Sequence, residues 1–466
     1  MRPPIWLIAL AVLAAPAAAQ APADTLRLTL DQAVQRALDQ GSDMQLARAA
    51  VLEANGQVRE ALSGALPQIT GSVVYTRQFA SIYQGLSSDT SQLGKLFQNT
   101  PFAAPNSWNV QLQATQLIWS GGKVGAGLAA AKSFRQVATL QQSETAADVA
   151  LQVKQAYWNA TLQQRLLEIA AQNLDQARQH LREVELYRHA GTRAEYDLLR
   201  AQVDAANQEP GVVQARNSYD VAVLDLKRLL NLPASQELVL QTMLQSPDAT
   251  IPVIADDSLG GPDRPSLAAA EATVREQQQL ERVARADRWP TLSATTTYNE
   301  QAFPQDVFPG GGDQFHRGWT GEVKLSFPIF LGFKTSGTIE QAQARVMRAR
   351  AQRDQTQRQI EMEVTQAKGE VERAQSSLSA RRKTVQQAQR AQYLAGVRYT
   401  NGMATQLDVT DARVAAQQAE VNEVQATRDY YVALAQLERA LGRPVPVVQR
   451  SIERVANAST GKDAQP

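Results

Sequence analysis

The chain has 466 residues, with 44% hydrophobic and 20% charged, which is enough for two or three domains and too polar for a bundle of membrane-spanning helices. Its 47 Lys and Arg against 46 Asp and Glu leave a net charge of +1, so no global field draws it to nucleic acid or an acidic partner. The absence of Cys excludes disulfides, thiolate metal sites, cysteine catalysis and a lipid-bearing N-terminal Cys.

Residues 1–19 have the pattern of a secretory leader. Arg2 gives a positive start, Ile5 to Leu13 an apolar stretch, and Ala17-Ala18-Ala19 a small-residue cleavage site before Gln20. The apolar stretch is too short to span a bilayer, and no later run is long enough for a transmembrane helix.

A helical pattern covers 29–65, with Thr29 as its start. Ile69, Val73 and Tyr75 then alternate with Thr70, Ser72 and Thr76, which predicts a two-faced strand. A polar stretch over 78–107 leads to a clearer alternation over 108–119, with Trp108, Val110, Leu112 and Ala114 against Asn109, Gln111, Gln113 and Thr115. After Gly121-Gly122 a very long helix is predicted over 123–189, about 100 Å at 1.5 Å per residue. Val153, Ala160, Leu167, Leu174 and Leu181 recur every seven residues, with Ala156, Ala170, Ala177 and Val184 at companion positions. Such a heptad implies supercoiling against partner helices, and small companions allow close approach. Gly191 ends the helix, and 194–231 returns.

The order then repeats. Ile118-Trp119-Ser120-Gly121-Gly122-Lys123 recurs as Ile329-Phe330-Leu331-Gly332-Phe333-Lys334, 211 residues later. Gly191 with Asp197 recurs at the same offset as Gly402 with Asp408, and Tyr219 as Tyr430. The second copy predicts a helix over 265–288 starting at Ser266, strands over 292–298 and 319–330, a long helix over 334–395 and a return over 405–441. Val364, Val371, Leu378 and Val385 continue the heptad. The division is thus a first repeat over 20–233, a connector over 234–263, a second repeat over 264–444 and a tail over 445–466. Each return helix and each short first helix together match the long helix in length. Stacking them end to end beside it makes a rod with strands at one end and turns at the other. The fold class is mostly α with membrane β. Four strands cannot close a barrel, which needs about eight; two chains would supply eight and three twelve.

With its pieces in this order, the mature chain from about 25 to 444 resembles the TolC-type outer-membrane efflux proteins. The resemblance rests on Leu30-Asp31-Gln32-Ala33 opening a helix, Leu66-Pro67 before a strand, the two strand-to-helix turns, and the Gly-to-Asp elbows at 191–197 and 402–408. It implies a homotrimer whose 12-stranded barrel lies in outer-membrane lipid and continues as a periplasmic helical tunnel. It also implies a periplasmic adaptor and an inner-membrane pump as partners, no nucleic acid, no cofactor and no catalytic residue. Small molecules or polypeptides would pass through.

Asp408 and Asp411 stand three apart at the start of a helix, on one face, where three copies would form carboxylate rings that select cations. The family carries lumen-facing acidic residues at these matching positions; Asp at a helix start also suits the helix dipole. Tyr399 matches a family residue that helps hold the tip closed, and Asp197 matches its partner region. The family's closing Arg falls on Ala404, which leaves Arg193 or Arg398 as substitutes. Gly191, Thr192, Gly402 and Met403 are the candidate adaptor contacts, and capping accounts for them equally well.

Other signals carry less. Gly125 to Ala130 fits a dinucleotide loop, but the preceding strand alternates and the helix runs on. His180, His189 and His316 show no ligand spacing and are expected at the surface, and Arg381-Arg382-Lys383 on a solvated helix face. A periplasmic adaptor is the alternative reading; it should show one hairpin rather than two. An exported enzyme lacks any cluster of nucleophile, base and orienter.

Overall fold

Two α-helices of 67 residues each set the length of the molecule. The computed structural model describes residues 25–80, 104–192, 194–247, 263–304 and 306–443. The expected leader, half of the expected connector (248–262) and the tail lie outside the described residues.

In chain order the elements are β1 (Leu26–Leu28), α1 (Leu30–Gln40), α2 (Ser42–Ser63), β2 (Gln68–Arg77), β3 (Asn106–Trp119), α3 (Lys123–His189) and α4 (Glu195–Leu229). They continue with β4 (Leu238–Leu240), α5 (Pro265–Ala286), β5 (Thr291–Ala302), β6 (Phe315–Ser326), α6 (Lys334–Thr400) and α7 (Gln406–Leu441). α3 has the expected bounds, and α6 runs five residues beyond 395. α2 and α4 lie along α3; α5 packs on α3 and α6, and α7 on α6 and α3.

Three expectations are corrected. The segment 29–65 is two helices, because Gly41 is extended at φ −62 and ψ 143. Thr29 does start the first: its side chain accepts from the Gln32 N–H, and the Gln32 side chain accepts in return from the Thr29 N–H. The second repeat's first helix starts at Pro265 with Arg264 as its cap, not at Ser266. The Ser266 N–H is taken by the Glu144 carboxylate instead, at 3.1 Å. The last strand stops at Ser326 rather than 330; Pro328 has no N–H to give a ladder.

β2, β3, β5 and β6 form one antiparallel sheet in that order, so β2 and β6 are its edges. Directly paired residues share a face. One face carries Ile69, Val73, Val110, Leu112, Val323 and Leu325, and it is open: Val323 is 72% exposed and Trp319 79%. A bulge between Leu117 and Trp119 keeps this order at the strand's end, pairing Trp119 with Leu292 on the apolar side.

The helices join at a waist below the sheet. In the first repeat the junction is apolar. Leu30, Ala33, Ala37, Tyr157, Leu226 and Leu230 pack together, and β1 pairs in parallel with β4 beside them. The Tyr157 hydroxyl donates to the Leu28 carbonyl at 3.0 Å and accepts from the Thr242 N–H at 2.9 Å. In the second repeat Leu434, Leu437 and Leu441 pack with Ile360 and Val364, and an ionic cluster is added beside them. The Arg264 side chain, 4% exposed, reaches Glu144 at 2.5 Å and Glu363 at 2.9 Å. Arg439 joins the same carboxylates and Asp148 at 2.7 Å. Here α7 ends directly against the start of α5. The Asp263 N–H bonds the Leu441 carbonyl at 2.9 Å, and Gly442, at φ +73, has no room for a Cβ beside the Asp263 carbonyl.

Burial alone would raise the Glu363 carboxyl, but hydrogen bonds from Arg264 and Gln359 and the charges of Arg264 and Arg439 outweigh it and hold it below the usual range. A carboxyl depressed in the folded state contributes stability above its unfolded value, lost as pH falls through the folded one. Thermal unfolding of the detergent-solubilised protein should therefore drop as the pH is lowered below about 4, and Glu363→Gln should flatten that drop. Arg264→Ala, which leaves Glu144 and Glu363 to Arg439 alone, should cost about 1.5–3 kcal/mol at neutral pH.

Candidate functional site at the helical tips

Each long helix ends in the same turn. Gly191 has φ +72 and Gly402 φ +70, a backbone region that glycine enters without penalty. The Thr192 N–H reaches back to the Tyr187 carbonyl at 3.0 Å, and the Met403 N–H to the Arg398 carbonyl at 2.8 Å. These bonds satisfy the last carbonyls of α3 and α6. Gly191, Thr192, Gly402 and Met403 are all exposed, Met403 at 63%. The capping role and an open surface therefore coexist at these positions.

Beyond the second turn, Thr405 caps α7. Its hydroxyl accepts from the Asp408 N–H, and the Asp408 carboxylate accepts from the Thr405 N–H at 2.8 Å and hydroxyl at 2.7 Å. Those two bonds, backbone first, hold the Asp408 carboxyl below the usual carboxylate range, with Arg398 adding its charge. Asp408 is thus an exposed anion bonded back onto its own helix. Asp411 is exposed one turn on. Tyr399 is half-buried in the last turn of α6, and Asp197 half-buried in the first turn of α4. Ala404 is half-buried and offers no charge. Arg193 lies outside the described residues.

The links between the two hairpins near the tips come from residues the sequence reading did not single out. Arg413 on α7 is buried and pairs with Asp204 on α4. The Gln406 amide, also buried, lies 3.2 Å from the His180 ring on α3. His180 is therefore not a plain surface residue, whereas His189 and His316 are exposed. One signal was available. Gln406 and Arg413 stand seven apart on the buried face that Ala416, Ala419 and Ala426 continue, where a polar side chain needs a partner. Arg382 is a further correction: it bonds the Ser246 hydroxyl at 2.7 Å and ties the segment after β4 to α6.

Two hairpins, four strands and an open apolar sheet face can be compared with known proteins. The model of the family described as outer membrane efflux protein matches residues 33–232 and 262–443, one stretch in each repeat. The chain belongs to the outer membrane efflux protein family. It is 26% identical over 322 residues to the outer membrane protein OprJ of Pseudomonas aeruginosa, a match spanning 66% of this chain and 65% of OprJ. It is 24% identical over 431 residues to the outer membrane efflux protein BepC of Brucella suis, spanning 89% of this chain and 85% of BepC. A crystal structure of a membrane protein from Pseudomonas aeruginosa is similar with a TM-score of 0.71 at 22% identity, covering 88% of this chain and 93% of that one. The outer membrane protein VceC of Vibrio cholerae gives 0.69 at 20%, covering 89% and 96%. At these identities the likeness to solved structures is one of fold.

Asp204→Asn and Arg413→Gln should each destabilise this efflux protein, because each leaves a buried charge alone. Together they should cost less than their sum by about 0.5–3 kcal/mol. Additive losses in thermal unfolding would mean that the pair contributes nothing.

Proposed function

We propose that the chain is the outer-membrane exit duct of a tripartite efflux or type I secretion assembly. Three copies close a 12-stranded barrel in outer-membrane lipid, and their helices continue it as a tunnel into the periplasm. The observation that carries this reading is the sheet: its apolar face is exposed and both its edges are unpaired among the described residues of one chain. Backbone groups left open in hydrocarbon cost several kcal/mol each, so only closure with other copies satisfies them in a bilayer. The family membership supports the same reading. A leader over residues 1–19 exports the chain, and with no Cys in the sequence it is not lipid-anchored there.

The tip is the gate. Asp408 and Asp411 line the constriction as carboxylate rings, while Tyr399, Asp197 and Arg193 belong to its closing surface. With Ala at 404, the Arg413–Asp204 pair holds the two hairpins together one to two turns deeper. The exposed turns at Gly191, Thr192, Gly402 and Met403 meet a periplasmic adaptor, through which an inner-membrane pump delivers small molecules or polypeptides. The duct works by passage and carries no catalytic residue.

Extraction of outer membranes in detergent should yield a particle of three chains; a soluble periplasmic monomer would defeat the reading. In planar bilayers, Asp408→Ala with Asp411→Ala should lower cation preference, seen as a reversal potential closer to zero. Unchanged selectivity would remove the carboxylates from the constriction.

A further inference from the structure

The sheet has a second face that the membrane reading leaves without a task. Its rows follow from the register. Thr70, Gln113, Thr297 and Thr320 are aligned across the four strands, and so are Ser72, Gln111, Asn299 and Gly318. These positions alternate with the apolar ones, so in a closed barrel with its apolar face in lipid they point into the lumen. The side chains bond one another along and across the strands. The Gln111 side-chain amide donates to the Gln113 side-chain oxygen at 3.4 Å, and the Gln113 amide to the Thr115 hydroxyl at 3.3 Å. Thr115 and Thr295 share a hydroxyl contact at 3.3 Å. Each amide carries two donors and an acceptor, so capacity beyond these bonds remains for a passing solute.

Charge on this face is confined to β6. Among the described strand residues it carries one acid, Glu322, and one formal base, Lys324, two positions apart, with His316 toward the other end of the strand. Side chains two apart on a strand share a face about 7 Å from each other. Their opposite charges therefore cancel within each copy. The remaining ion pair of the sheet, Glu300 with Arg317 at 3.1 Å, lies on the apolar side and is neutral in sum. A pore selects by charge when rings of one sign line it; here a ring of Glu322 would be offset by a ring of Lys324 one step along the strand, with no net charge.

We propose that the barrel lumen is a charge-neutral wall of amides and hydroxyls. The exit then admits polar organic molecules of either charge and recognises them only through hydrogen bonding. Any sorting by charge falls to the opposite end of the molecule. This inference rests on the exit-duct reading above.

The chain contains no Cys, so one introduced thiol is unique. The experiment uses the full-length protein in outer-membrane vesicles, with Gln113→Cys or its neighbour Leu112→Cys. Each is exposed to a cationic and an anionic methanethiosulfonate of similar size, and rates are normalised to a free thiol. Q113C should react with both reagents, their normalised rates within about threefold, since a wall of one sign would concentrate its counterion about tenfold or more. L112C should stay unreactive in the lipid. Glu322→Gln in the Q113C background uncovers Lys324 and should tilt the ratio toward the anionic reagent. A ratio of about tenfold or more without that change would overturn the neutral lumen. Reaction at Leu112 but not at Gln113 would overturn the assignment of the face. If neither thiol reacts although the protein is present in the membrane, there is no open lumen, and the duct reading itself fails.

Discussion

Among the described residues the sheet is apolar on one face and unpaired at both edges, and no other described strand completes it. β2 and β6 each present a row of backbone donors and acceptors, and Ile69, Val73, Val323 and Leu325 stand open beside them. In water such edges invite pairing with another chain; in lipid they require it. The helices beneath share this incompleteness. Tyr196, Leu199 and Val203 on α4 are exposed at helical spacing, a further apolar stripe left open among the described residues. Apolar surface is thus left open at both ends of the molecule, the feature that supports the proposed assembly.

The duplicated chain solves one structural problem with two chemistries. Both repeats must join a return helix to a short helix beside an unbroken long one. The first does so with leucines, alanines and the buried Tyr157, whose hydroxyl is satisfied by backbone groups on two segments. The second has buried leucines as well, Leu434, Leu437 and Leu441, and adds Arg264 and Arg439 among Glu144, Asp148 and Glu363. Glu144 both neutralises Arg264 and receives the Ser266 N–H at the start of α5. A buried ion cluster is weak evidence for stability, because desolvation offsets much of its Coulombic gain.

At the opposite end the backbone and the side chains divide the work. The two turns are alike because both need a left-handed residue after the last helical turn, and glycine supplies it. The side chains around them differ. Asp408 is engaged by Thr405, while no equivalent capping bond holds Ala194 at the start of α4. Arg413 and Gln406 extend from α7 to α4 and α3, so the second hairpin carries the polar groups that reach the first.

Periodicity determined much of this in advance. A period of two marked β2, β3, β5 and β6 and separated their faces. Heptads marked α3 and α6, and the offset of 211 residues revealed two hairpins. These features are legible because each depends on residues close in the chain, repeating at the pitch of the backbone. Where one residue overrode the pattern, bounds moved: Gly41 split the first helix and Pro328 ended the last strand. The ionic waist and the Arg413–Asp204 link were not legible. Glu144 and Arg264 lie 120 residues apart and Asp204 and Arg413 lie 209 apart, and no local period connects such pairs. Only the folded chain decided which charges meet, because a buried charge takes the partner that packing brings within reach.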